Sequence, residues 1–161
     1  MDLRFVQQLG CVPDIEGGEA AFVVLKQKVE NGAKRRFGCI GEIEKNRLAH
    51  EFELIRETDT AKLFLYWAKI VATIRQKTYP YIYSVQNCSL VSYCLGITEV
   101  NPLLTGSYFE RLLTRRSTRV PILFIEVPKG RGEEASEVLK EKTLIEIEEN
   151  AACPDIDPKD V

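Results

Sequence analysis

With 161 residues, 45% of them apolar and 29% charged, the chain suits one globular domain that buries about two thirds of its unfolded surface. Its net charge of −2 does not mark a general polyanion binder. No apolar run approaches the roughly 20 residues that span a bilayer, and Met1-Asp2-Leu3-Arg4-Phe5 lacks the basic-then-apolar layout of a secretory signal. The expected location is therefore the cytoplasm, with no membrane partner.

Residues 1–17 are poorly patterned, with turn signals at Pro13-Asp14 and Gly17-Gly18. From Glu19 to about Asn31, the positions Ala20, Phe22, Val23, Leu25 and Val29 predict a helix, with Gly32 as its stop. A second helix is expected from about Ile43 to Glu57 on the stripe Leu48, Phe52 and Ile55, with His50 off that stripe. A third runs from Thr60 to about Gln76, apolar through Leu63, Phe64, Trp67, Ile70, Val71 and Ile74, with Asp59 as its cap. Tyr79 to Val85 alternates tyrosines with β-branched residues, and Pro80 excludes a helix interior, so a short strand is expected.

Cys88 to Leu95 reads as helical up to Gly96. Asn101-Pro102 starts a turn, and Tyr108 to Leu113 gives another helical turn or two. Val120 to Val127 is the strongest strand and is almost wholly apolar, as for a strand buried on both faces. Gly130 and Gly132 end it, and Glu133 to Lys142 reads as helical. Helices first and strands later predict an α+β fold, or mixed α/β, with a small sheet. Residues 1–161 are expected to form one domain, with 143–161 expected to be an acidic, partly flexible tail.

The cysteines Cys11, Cys39, Cys88, Cys94 and Cys153 include no C-x-x-C pair, and the single histidine cannot complete a zinc set with them. Reduced, mostly buried thiols are expected, with no metal and no cofactor. Cys88 or Cys94 would make a nucleophile–base pair with His50 only if the fold joined them.

Charge is unevenly distributed. Arg111, Arg115, Arg116 and Arg119 lie in a stretch without an acid, whereas residues 133–161 carry ten acids against three lysines. The arginines are candidates for contact with a nucleic-acid backbone; the simpler reading is a solvated helix face with Arg111 paired to an internal acid. Tyr79, Tyr81 and Tyr83 are either stacking platforms for bases or one face of a sheet. Ser84 and Ser89 are candidates for holding a nucleotide phosphate or other anion at a helix start, or are ordinary helix caps.

Ser89-Leu90-Val91-Ser92-Tyr93-Cys94-Leu95-Gly96-Ile97-Thr98-Glu99-Val100-Asn101-Pro102-Leu103, followed by Phe109-Glu110-Arg111-Leu112-Leu113, closely resembles a string in bacterial DNA polymerase III alpha subunits, the C-family replicative polymerases. Arg47-Leu48, Glu51-Phe52-Glu53-Leu54-Ile55, Phe64-Leu65, Trp67-Ala68-Lys69 and Gly32-Ala33-Lys34-Arg35-Arg36-Phe37-Gly38 resemble that family's helical lead-in. The resemblance covers roughly residues 19–142. It implies a helical lead-in followed by a reduced nucleotidyltransferase-like palm.

Two departures bear on chemistry. The family's Gly-Arg-Gly-Ser turn, whose backbone approaches the incoming triphosphate, is replaced by Ile82-Tyr83-Ser84-Val85 and then Gln86-Asn87-Cys88. Its catalytic strand, Pro-Asp-Ile-Asp-Ile-Asp, is replaced by Pro121-Ile122-Leu123-Phe124-Ile125-Glu126, which puts Ile122 and Phe124 at the metal-ligand positions. Only Glu126 keeps a carboxylate, where the family has a non-ligand aspartate. Magnesium demands oxygen ligands, so no catalytic residues are assigned. The family's distant third aspartate and its further domains are not expected in this chain, and Pro154-Asp155-Ile156-Asp157 is read as a coincidental copy of the catalytic string.

The resemblance implies a relative of the replicative polymerases without their catalysis, a binding or regulatory module. Its candidate partners are DNA, a nucleotide, or a replication or repair protein. The alternatives are a polymerase component whose carboxylates come from a second chain, and a protein-interaction domain that binds no nucleic acid.

Overall fold

The computed structural model describes residues 3–6, 17–82, 84–117, 121, 123–142 and 148–149. After a short strand, β1 (Leu3–Val6), come three long helices: α1 (Gly18–Phe37), α2 (Glu42–Glu57) and α3 (Ala61–Ile74). The rest alternates small elements: β2 (Tyr81–Ile82), a 3-10 helix (Ser84–Cys88), α4 (Leu90–Cys94), α5 (Pro102–Thr105) and a 3-10 turn (Phe109–Arg111). β3 (Phe124–Val127), α6 (Gly132–Lys142) and β4 (Glu148–Glu149) complete the described elements. This is an α+β fold, and no described helix is long and apolar enough to cross a membrane.

Helix α3 is the centre of the core. Leu63, Phe64, Leu65, Tyr66, Trp67, Ile70, Val71 and Ile74 are all buried, so it is apolar around most of its circumference, as a helix covered on several sides must be. Helix α1 offers it one stripe, Ala21, Leu25, Val29 and Ala33, at the spacing that puts side chains on one face. Phe109 stacks on Phe64 at 6.5 Å between ring centroids and joins the later segment to this core.

Gly32 does not stop α1, contrary to the sequence reading. The helix runs on to Phe37 and ends at Gly38, which takes a positive φ (69°) and whose N–H closes on the Lys34 carbonyl. Asp59 does not cap α3 either. Thr60 precedes that helix, while the Asp59 carboxylate accepts the Gly18 N–H at 3.1 Å and so caps α1 from a distance in sequence.

The sheet has the order β2-β3-β1-β4, with every neighbouring pair antiparallel. In the β1–β3 register, Leu3 faces Val127 and Arg4 faces Glu126; β2 lies on the other side of β3, with Tyr81 opposite Glu126 and Ile82 opposite Ile125. β3 is thus an inner strand but not a doubly buried one. Ile125 and Val127 are buried and Phe124 and Glu126 half-buried, the alternation of an antiparallel sheet with one face on the core.

The expected strand across Tyr79–Val85 shrinks to Tyr81–Ile82, because the chain turns into the 3-10 helix at Ser84. The poorly patterned start contributes β1. Of residues 143–161, only Glu148 and Glu149 are described, so the expected looseness of the tail falls outside the described residues.

Candidate functional site

The turn from β2 into α4 lies where the sequence resemblance locates a phosphate-approaching loop. Its organising group is a carboxylate from another helix. Glu51 is on the buried stripe of α2 with Leu48, Leu54 and Ile55 and has no exposed surface. Its two oxygens accept four hydrogen bonds: from Arg47 Nε at 2.7 Å, Ser89 Oγ at 2.9 Å, the Leu90 amide at 2.8 Å and the Val91 amide at 2.9 Å. Burial raises the Glu51 carboxyl above its ordinary value, against the opposing pull of the Val91 and Leu90 amides and Arg47. Every group in this set is a donor, so the ionised carboxylate is the form the geometry satisfies.

Ser89 is the N-cap of α4. Its Oγ accepts the Ser92 amide at 3.0 Å while it donates to Glu51. Arg47 extends the network, with Nη2 donating to the Cys88 carbonyl at 2.7 Å and to that of Ser107 at 2.9 Å. The first amides of α4 therefore face an internal anion. Ser84 begins the 3-10 helix before it, and Tyr83 lies outside the described residues.

On β3, the half-buried face carries Phe124 and Glu126. Glu126 sits in a row between Arg4 of β1 and Tyr81 of β2, and Tyr81 meets Tyr79 edge-on at 5.4 Å. Both tyrosines are more than half exposed. Ile122 lies outside the described residues.

The arginine stripe divides. Arg115 is held by two carboxylates of α2, Glu57 through its Nε and Glu53 through Nη2 at 2.8 Å, and its pKa is raised by the Glu57 hydrogen bond. Arg111 and Arg116 are exposed, and Arg119 lies outside the described residues. His50 is bonded to Glu110 at 2.6 Å, which lowers the Glu110 carboxyl. The Cys94 thiol is pushed up to about 12 by burial and then by the Glu51 charge, so it stays protonated at neutral pH.

A second charged cluster went unread in the sequence. Glu99 accepts from Arg36 of α1 at 2.6 Å and from Arg75 at the end of α3 at 2.9 Å. Arg36 also lies over the Tyr93 ring at 4.4 Å. The pair of arginines thereby clamps the Gly96-Ile97-Thr98-Glu99 turn to both helices. Spacing held a clue to the Glu51 network: Arg47 and Glu51 are four apart, and Glu51 falls on the same face as Leu48 and Ile55. No such clue joins Arg36, Arg75 and Glu99, which are distant in sequence.

Residues 23–143 match the family described as the bacterial DNA polymerase III alpha NTPase domain. An error-prone DNA polymerase of Burkholderia mallei is 33% identical over 144 residues, 88% of this chain and 13% of that polymerase. Another, from Idiomarina loihiensis, is 31% identical over 144 residues, 88% of this chain and 14% of that enzyme. The DNA polymerase III subunit alpha of Halalkalibacterium halodurans is 34% identical over 122 residues, 73% of this chain and 11% of the subunit. The chain thus spans between a tenth and a seventh of the length of these relatives.

Proposed function

The chain belongs to the bacterial DNA polymerase III alpha NTPase-domain family, and from that premise we propose that it is a non-catalytic, cytoplasmic binding module of DNA replication or repair. The observation that carries this reading is Phe124. It stands at the position where the resemblance calls for a metal-holding aspartate, on the half-buried face of β3 beside Glu126. A phenyl ring offers no oxygen to magnesium, and two-metal phosphoryl transfer needs carboxylates that bridge both ions. The Glu51 network supports the same reading, since the Leu90 and Val91 amides that open α4 already hold an internal carboxylate.

The module's ligand on this reading is DNA, a nucleotide, or a replication or repair protein. Backbone contact with DNA would fall to Arg111 and Arg116, because Arg115 is committed to Glu53 and Glu57. The test is primer extension on primed DNA with magnesium and all four deoxynucleotides, run beside an anisotropy titration of the same labelled DNA at low and moderate salt. The expected result is no extension, with any DNA binding salt-sensitive and weakened by Arg111→Ala/Arg116→Ala. Templated extension by the purified chain would overturn the proposal.

A further inference from the structure

Helices α1 and α3 leave an open groove of about 840 Å³ between them. Ala20, Val24, Lys28, Asn31 and Arg35 line it from α1, and Leu65, Ala68, Lys69 and Ala72 line it from α3. The α1 set recurs at intervals of three or four and the α3 set falls at i, i+3, i+4 and i+7, so each is one continuous helix stripe. The α1 stripe is about 22 Å long, roughly four helical turns. Val24 is 44% exposed although it is apolar.

The charge on this surface has one sign. Lys28, Arg35 and Lys69 line the groove, and among the described residues no aspartate or glutamate does. None of the three forms an ion pair with a described carboxylate. The groove between α1 and α2 differs, since Glu30, Glu53 and Glu57 are interleaved there with its lysines and Arg56.

We propose that the α1–α3 groove docks an acidic amphipathic helix from a partner protein. Its apolar side would lie on Val24, Leu65, Ala68 and Ala72, and its carboxylates would meet Lys28, Arg35 and Lys69. A groove between two helices accepts a third by ridge-into-groove packing, and helix-in-groove recognition reads apolar anchors at i, i+3, i+4 and i+7. Nucleic acid fits less well, because a phosphodiester backbone has no apolar face for this floor and, among the described residues, no aromatic ring lines the groove for base stacking. The inference rests on the binding-module reading above and names the partner chemistry for it.

The test titrates the full chain into a fluorescein-labelled peptide of about 16 residues, long enough to match the stripe. The peptide carries leucines on one helical face and glutamates elsewhere; a second peptide of the same composition has its leucines scattered around the helix. A labelled DNA duplex is the third probe. Lys28→Glu/Lys69→Glu and Val24→Asp alter exposed positions, and circular dichroism checks that both variants fold.

The patterned peptide is expected to bind, with affinity falling on the order of tenfold in each variant, and the scattered peptide to bind at least tenfold more weakly. Four results would overturn the proposal: no peptide binding, equal binding of both peptides, binding of the duplex alone, or self-association that Val24→Asp abolishes, which would make the occupant a second copy. Primer extension reads the non-catalytic proposal separately, so an inactive chain that also ignores the peptide loses only this inference.

Discussion

A β-carbon placed on Gly32 would lie 1.9 Å from the carbonyl oxygen of Cys94. Helix α1 therefore crosses the last turn of α4 at backbone contact, and the obstacle is main chain rather than a side chain that can swing away. Gly32→Ala would gain up to about 1 kcal/mol of helix propensity. It would also force α1 and α4 apart, an overpacking cost of about 3 kcal/mol. The expected net loss is about 2 kcal/mol, read as a fall in Tm of roughly 4–8 °C for a chain of this length. A Tm that holds or rises would mean the two helices separate freely.

The same glycine shows where the sequence was legible and where it was not. The three long helices follow from apolar spacing, a local property, and their centres are found as expected. Gly32 reads locally as a helix stop, because the carbonyl that makes it necessary comes from a residue 62 positions later. β1 was missed for a related reason: four residues are too few to display a period, and the strand exists through pairing with β3 and β4. Ser89 was legible as a helix cap and as an anion candidate. That the anion beside it is Glu51 depends on how α2 meets α4, and no spacing within either segment reports that.

Glu51→Gln would put amide hydrogens among donors that face a carboxylate, leaving Arg47 partly buried without its counter-charge. Breaking one side of a buried pair typically costs about 3–5 kcal/mol, and a loss at the low end of that range is expected because Arg47 keeps the Cys88 and Ser107 carbonyls. Ser89→Ala alone removes one donor and one cap. Chemical denaturation of the two single variants and the double variant should give a coupling of about 0.5–3 kcal/mol. Strictly additive effects would show that Ser89 and Glu51 act independently.

Glu99 predicts a pH dependence. The hydrogen bond from Arg36 holds its carboxyl below the ordinary 4.5, with Arg75 adding to the effect. A carboxylate with a depressed folded-state pKa stabilises the fold fully above the unfolded value and loses that contribution as pH falls through the folded value. Glu99 is nearly half exposed, so solvent screening limits the contribution to about 1 kcal/mol or less. Glu99→Gln should thus be less stable than the parent chain at neutral pH. The gap should close as pH drops below about 4.5, the ordinary carboxyl value. A difference that persists undiminished well below that pH would point to lost hydrogen bonding rather than lost charge.

Thiol labelling separates the three described cysteines by environment. Cys39 is exposed, whereas Cys88 and Cys94 are buried. Cys94 is doubly protected: burial denies the reagent access, and a thiol pushed up to about 12 supplies almost no thiolate at pH 8. The nearby Glu51 carboxylate contributes to that shift. With iodoacetamide at pH 8, followed by peptide mass mapping, Cys39 should be modified in the native chain within minutes, and Cys94 only at the rate at which the core opens. Glu51→Gln removes one cause of the shift and also loosens the α2–α4 contact, so it should speed Cys94 labelling well before it changes that of Cys39. If Cys94 reacts as fast as Cys39 in the parent chain, the α1–α4 contact at Gly32 cannot be as tight as the Gly32→Ala prediction requires.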